Sequence, residues 1–389
     1  MRILMLNHNM KWRGTFFRAF HFAKCLVARG HSVTLVTISE ANRFLFRSGS
    51  LQGVRIVESP DLLVGKGRSG WDPYDVFRRT LFLLRRDEFD LVHAFDGRPA
   101  VVFPALALKK MRDLPFVSDW ADWWGRGGII QERGKLIRWT FGPLETFFEE
   151  HFRPFADGIT VTSRALQARA VALGVPRSRV RYIPSGADIE TIRPLPKRES
   201  RRLLGLPEDG RFIEFIGFIN YDFDCMIRSF PLVQREFPDV SLLLIGQPSP
   251  LTKKICRECA ITRGILEIGI VPFEKLSVYL ACADVLLLPF TDKICNIGRG
   301  PIKLGDYMAA GRPIVTQPVG DLRFYFDDSS PIGLLAGNTA KDFARAICEL
   351  LSDPERADQY GRNARRLAEE KYAWDLMTDR LEEAYRSFL

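Results

Sequence analysis

The sequence predicts an α/β protein of two doubly wound parallel-sheet domains facing a central cleft. Three observations carry that reading. Apolar, β-branched runs alternate with amphipathic stretches along the whole chain, as parallel strands covered by helices do. The alternation comes in two series of about 190 residues each, which fits two doubly wound domains rather than one barrel. Between them, Asp188–Ser200 breaks the pattern with Pro194, Pro196 and the charge run Lys197-Arg198-Glu199. The expected division is a first domain over 1–195, a second over 196–370, and a closing helix over 371–389 that packs back onto the first domain.

In the first series the strand-like runs are Arg2–Leu6, Ser32–Ile38, Val54–Val57, Leu91–Phe95, Phe116–Ser118, Gly158–Val161 and Val180–Ile183. In the second they are Phe212–Ile216, Ser241–Ile245, Ile265–Gly269, Asp284–Leu288, Pro313–Thr316 and Ile332–Ala336. Trp374–Leu389 reads as one amphipathic helix. Doubly wound sheets bind ligands beyond the carboxyl ends of their strands. The loops that matter are therefore Asn7–Thr15, Asp96–Ala100, Asp119–Gly128, Ser185–Asp188, Gly217–Asp224, Pro272–Phe273 and the segment Asn296–Pro318.

That last segment, NIGRGPIKLGDYMAAGRPIVTQP, reads as loop, helix, tight stop and strand. Gly298 and Gly300 lie in the loop, Pro301 stands where a first helical residue belongs, and Gly311 supplies the stop. Lys303, Asp306 and Tyr307 share one helix face. A glycine loop before the free N–H groups of a helix favours an anion. Lys303 adds a cation and Asp306 a carboxylate suited to a vicinal diol, a combination that fits a sugar nucleotide. The bland reading is a surface ion pair between Lys303 and Asp306.

Composition narrows the classes. No apolar run is long enough to span a bilayer, and the N-terminus lacks the long apolar run of a signal peptide. Seven irregularly spaced cysteines are expected to be free thiols in a reducing cytoplasm, and Cys256-x-x-Cys259 reads as incidental, with zinc or redox chemistry a minor reading. The net charge of +9 is uneven. Residues 1–195 hold 30 Lys and Arg against 19 Asp and Glu, whereas residues 196–389 hold 26 against 28. The basic half could face anionic lipid, a phosphorylated acceptor or nucleic acid, or could simply be solvated. Phe16–Phe22 and Tyr74–Arg86 place large apolar residues beside Arg18, Arg78, Arg79, Arg85 and Arg86, so each could lie in a membrane interface or present an apolar stripe to the core.

Five stretches, in order and at the right separations, resemble the retaining GT-B glycosyltransferases of glycosyltransferase family 4. They are ARGHSVTLVT (28–37), FDLVHAFDGRPAV (89–101), GITVTSRAL…LGVPRSRVRYIPSGAD (158–188), VPFEKLSVYLACADVLLLPF (271–290) and PIKLGDYMAAGRPIVTQPVGD (301–321). The last resembles a subgroup pattern, PxKLxEYmAaGkP. The resemblance implies two Rossmann-like domains and transfer of a sugar from a nucleotide diphosphate-sugar to a glycan, glycolipid or other acceptor. It implies retention of anomeric configuration, no metal at the diphosphate and no further cofactor. Four departures stand out. Of the usual E-x7-E pair, Asp306 matches the second glutamate and Gly298 stands at the first. In GFINYDFD (217–224), Phe218 replaces a usual arginine and no lysine follows. The strand end carries His93 and Phe95 where H-x-H is usual. Of two usual adjacent glycines near the N-terminus only Gly14 is present, with Arg13 in the other place.

From these follow the candidate residues. Lys303 should neutralise diphosphate oxygens, Arg299 could bind them bidentately or be a solvated loop arginine, and Asp306 should accept from ribose hydroxyls. Gly14 either lets backbone approach the diphosphate or acceptor, or is an ordinary loop glycine. His93 is expected to be a satisfied core histidine. Asp96 is the candidate catalytic carboxylate, steadying oxocarbenium-like charge or orienting the acceptor hydroxyl, or else it forms an Asx turn with Arg98 paired to it. In SDWADWWGRGG (118–128), Asp119, Asp122 and the three tryptophans, Trp123 first among them, could bind acceptor or donor sugar, or the indoles could pack onto the domain surface, and Arg98 is a further candidate for binding acceptor or sugar. The alternative function is a catalytically inactive relative that binds nucleotide or a partner. A nucleotide-cofactor oxidoreductase would need a G-x-G-x-x-G after the first strand, which is missing, and no nucleic-acid-binding motif is present. The expected protein is a cytoplasmic or membrane-peripheral transferase.

Overall fold

The computed structural model describes residues 1–64, 69–86, 89–217, 222–326 and 329–389. Phe218 therefore lies outside the described residues. The chain divides into two compact units, Met1–Ser185 with Gly298–Gly300 and Trp374–Leu389, and Gly186–Ile297 with Pro301–Ala373. Each is a Rossmann-like α/β layer structure.

The first unit holds strands β1 (Arg2–Met10), β2 (Ser32–Ile38), β3 (Arg47–Leu51), β4 (Val54–Ser59), β5 (Leu91–Phe95), β6 (Phe116–Trp120), β7 (Gly158–Val161) and β8 (Val180–Tyr182). Their order in the sheet is β3-β4-β2-β1-β5-β6-β7-β8. Both faces are covered, which is why the strands read as unbroken apolar runs. Ile3 and Met5 point to a core shared with the helices Phe16–Ala28 and Trp374–Phe388, while Leu4 and Leu6 point to one shared with the helices Pro99–Arg112 and Arg164–Ala172. The C-terminal helix buries Trp374, Met377, Leu381 and Tyr385 along one stripe, and the Tyr385 hydroxyl sits 2.7 Å from His93 Nδ1. Burial holds His93 down to about 4, so it is a neutral core histidine.

The second unit holds β9 (Arg211–Ile216), β10 (Val240–Ile245), β11 (Ile265–Gly269), β12 (Val285–Leu288), β13 (Ile314–Thr316) and β14 (Gly333–Leu335), in the order β11-β10-β9-β12-β13-β14 and parallel throughout. Ile213, Phe215, Leu242 and Leu244 pack against the helices Phe223–Glu236 and Ala340–Ser352. Leu286 and Leu288 pack against Leu304, Tyr307 and Met308 of the helix Ile302–Ala309.

The structure departs from the sequence reading in four places. The edge strand β3, RSGSL, was not expected. It lacks apolar alternation, is mostly exposed, and joins β4 antiparallel through Gln52-Gly53, both at positive φ as a two-residue hairpin turn requires. Gly298 ends a short helix, Ile294–Gly298, rather than lying in a loop, and Pro301 precedes the next helix instead of opening it. Phe16–Phe22 cannot face a membrane, because Phe16, Arg18, Phe20 and Phe22 are all buried in the first core. Arg79 is likewise buried, 3.0 Å from Asp75 and donating to the Asn7 carbonyl and Ser59 Oγ, so of Tyr74–Arg86 only an outer face with Phe77 and Leu81 stays exposed. Among the described residues no helix is long and apolar enough to cross a membrane.

Candidate functional site

In the second unit the helix Ile302–Ala309 begins beside the carboxyl end of β9. The Gly311 N–H closes it on the Met308 carbonyl at a φ of +66°. Lys303 Nζ lies 4.4 Å from the centre of the Phe215 ring. A Cβ on Gly217 would stand 2.6 Å from that ammonium, and Gly217 has φ +130°, so glycine is what lets β9 end against Lys303. Gly305 plays the same part on the helix's other side, where a Cβ would stand 2.2 Å from the Gly186 carbonyl. Phe215, Gly217, Gly246, Gln247 and Glu267 line a small groove over the ends of β9, β10 and β11.

One turn on, the Asp306 carboxylate is half-buried and accepts no hydrogen bond from the described residues. Burial first and the nearby Asp188 second push it up to about 8, while Lys303 pulls the other way. Asp188 is held by the Thr191 N–H.

The first unit carries the acidic residues. Asp96 follows β5 with φ +77°, a left-handed conformation seldom taken by a non-glycine residue. Its N–H extends the ladder to the Asp119 carbonyl, and its carboxylate accepts from Trp124 Nε1 at 2.8 Å and lies 3.8 Å from Arg153 Nη2. Asp96 is 1% exposed, and burial raises it above the ordinary range. Arg98 draws Asp96 down by its charge, against that burial. It is bound to Glu145 and lies over the rings of Trp71 and Trp124. Asp119 is within β6 rather than beyond it, fully buried, with Arg18 donating from Nε and Nη2 at 3.0–3.1 Å and Thr160 Oγ1 at 2.7 Å. Asp122 is half-buried, and burial and then Asp96 push it up to about 6 against the pull of Arg299.

The tryptophan loop is pinned rather than loose. Glu149, on the helix Lys135–His151, accepts from Trp120 Nε1, the Trp124 N–H and the Gly125 N–H at 3.0, 2.7 and 2.6 Å. Arg169 lies 4.0 Å from the Trp123 ring centre. On the ring's other edge stands Gly298, where a Cβ would meet Trp123 Cβ at 2.6 Å. Gly14 is exposed at φ +50° in the turn before Thr15. Phe95 is buried in the core.

Sequence reasoning missed Glu145, Glu149, Arg153 and His8. His8, after the core run of β1, is buried beside Gly70 and Arg98, and burial and Arg98 hold it neutral. Only its place in the Asn7–Thr15 loop gave any signal. Glu149 gave none, being 24 or more residues from the loop it holds, and neither did Glu145, which is bound to Arg98.

Two family profiles match the chain, Glycosyltransferase Family 4 over residues 12–191 and Glycosyl transferases group 1 over residues 210–353. The D-inositol 3-phosphate glycosyltransferase of Thermobispora bispora is 29% identical over 55% of this chain and 52% of its own length. The chain thus spans about half the length of that relative. The GDP-mannose-dependent alpha-(1-6)-phosphatidylinositol monomannoside mannosyltransferase of Mycobacterium tuberculosis is 22% identical over 66% of this chain and 69% of its own. Among solved structures, sucrose-phosphate synthase from Thermosynechococcus elongatus superposes with a TM-score of 0.77 at 19% identity, covering 99% of this chain and 98% of its own, which is likeness of the GT-B fold.

Proposed function

The chain belongs to glycosyltransferase family 4, and we propose that it moves a sugar, with retention of configuration and without a metal, from a nucleoside diphosphate-sugar to a glycan or lipid-linked acceptor. One observation carries the donor half. Asp306 is a desolvated carboxylate that accepts no hydrogen bond from the described residues, one helical turn from the Lys303 ammonium. A ribose diol would supply donors to that carboxylate, and a diphosphate would suit the Lys303 ammonium one turn away. As the glycosidic bond breaks, negative charge grows on the leaving diphosphate, where Lys303 and the N-terminus of its helix would stabilise it. The relative that uses GDP-mannose on a phosphatidylinositol glycan supports a donor and acceptor of these classes.

For the acceptor half, Asp122 is the acidic residue open to a ligand, with Trp123 beside it for sugar stacking. Its raised pKa would let it take the acceptor hydroxyl's proton near neutral pH. Asp96, closed in by Trp124, is then a positioning residue that sets Asp122 by its charge. Asp119 and Arg98 hold the scaffold. The inactive-relative reading has one observation in its favour. Buried Phe95 and the closed space at Gly298 leave no polar group where the family resemblance places a histidine and a glutamate.

Calorimetry with nucleoside diphosphates and their sugars, in chelator, tests the proposal. Lys303→Ala should weaken binding about ten- to a hundredfold, the worth of one charge-assisted contact. Undiminished binding by that variant, or strict dependence on magnesium, would remove the phosphate site. Binding without any transfer or hydrolysis would leave the inactive-relative reading.

A further inference from the structure

The N-terminal half of the helix Lys135–His151 has no core. Every residue from Gln131 to Phe141 is exposed on all sides of the helix, although the stretch includes Leu136, Ile137, Trp139 and Phe141. Leu136 is 73% and Trp139 78% exposed. Leu144 and Phe147 continue the apolar surface toward the anchored end, where Phe148 and Glu149 enter the first unit. A groove of about 720 Å³ runs beside it, with Ile130, Phe147 and Leu173 as apolar walls and Arg126, Arg138 and His151 at its polar edge. Exposed apolar clusters of this kind mark interaction sites.

Charge and shape select the occupant. Arg126, Arg133, Lys135 and Arg138 are all exposed and only Glu132 opposes them within the stretch, so an apolar tip stands in a cationic rim. Seven exposed helical residues project about 10 Å, which matches the 5–10 Å to which interfacial helices sink below lipid headgroups. Trp139 has the amphipathic ring that favours that depth. A second copy of the chain is disfavoured, because a two-fold pairing of this face would bring like-charged rims together.

We propose that this helix end and its groove dock the protein on an anionic lipid bilayer, with Leu136, Ile137, Trp139 and Phe141 in the interface and the four cations against headgroups. The inference stands apart from the transferase reading and fails or holds without it. It places the membrane surface away from Phe16–Phe22 and Tyr74–Arg86, the two stretches that could have formed one.

Flotation of the full chain with phosphatidylcholine vesicles, with and without phosphatidylglycerol, tests it. The wild type should bind only the anionic vesicles and release as salt rises. Leu136→Ser with Trp139→Ser should lower binding at least about tenfold. Arg133→Glu, Lys135→Glu and Arg138→Glu together should lower it about a hundredfold or more. These side chains are exposed, so all variants should keep the wild-type thermal melt and nucleotide affinity. Failure of the wild type to bind anionic vesicles overturns the proposal, as does binding indifferent to these variants or abolished only by Phe77→Ser. Concentration-dependent dimers lost with Trp139→Ser would also overturn it, giving the face to a second copy.

Discussion

Gly298 is held against Trp123 so closely that the smallest side chain at position 298 would put its Cβ 2.6 Å from the Trp123 Cβ. The two residues are 175 positions apart, yet each accounts for the other. The indole fills the space a glutamate would need, and the glycine admits the indole.

The first prediction follows from that pair. Gly298→Ala should lose about 1–3 kcal/mol by overpacking. In a Trp123→Ala background the same change should cost much less. Thermal or denaturant melts of the four proteins give the coupling. Additive losses would mean that the two residues do not compete for one volume.

Asp119 should prove structural. Asp119→Ala leaves the Arg18 guanidinium buried without its carboxylate, and breaking such a pair costs about 3–5 kcal/mol. Urea unfolding measures it. A loss below about 1 kcal/mol, with sugar transfer impaired, would return Asp119 to the ligand-facing role its loop first invited.

Asp306→Asn should stabilise the fold and weaken the donor site together. The carboxyl is raised from the ordinary range to about 8, so the folded state holds a proton that the unfolded chain releases. Stability is then full at low pH and falls as pH rises from the ordinary carboxylate range through about 8. The asparagine variant escapes that loss. Its gain should be about 1–2 kcal/mol at the alkaline end, discounted for the half-exposed site, and smaller at acid pH. Donor binding should tighten through pH 8 in the wild type and stay flat in the variant. A destabilised variant, or a wild-type donor affinity indifferent to pH, would contradict the ribose assignment.

Asp122→Asn should lower kcat about a hundredfold or more while donor affinity stays near the wild-type value. Asp96→Asn should act differently. Removing the neighbouring charge that helps hold Asp122 near 6 should move the acidic limb of the rate profile to lower pH. The pH dependence of kcat separates the two. An unmoved limb in Asp96→Asn would deny it the positioning role, and normal turnover by Asp122→Asn would remove the proposed base.

Much of this was legible along the chain. Among the described residues, thirteen of the fourteen strands lie in runs of apolar, β-branched residues that a short window detects, because a sheet covered on both faces demands them. The one missed, β3, is an exposed edge with nothing to bury. Lys303, Asp306 and Gly311 were readable for the same reason, since one helix with its stop sets their spacing.

What a window cannot see is which distant group completes a side chain. Asp119 and Asp122 sit in one short segment of similar composition. One is closed by Arg18, 101 residues away, and the other stays half open beside Asp96 and Arg299. The helix Lys135–His151 has apolar residues along its whole length, but Glu149 is drawn into the tryptophan loop while Trp139 is left bare. Residue type and period determined the elements and the helix face that carries Lys303 and Asp306. Burial and long-range pairing, which depend on how strands and helices stack, decided which charges are closed in, which stay half open and where an apolar surface is left bare.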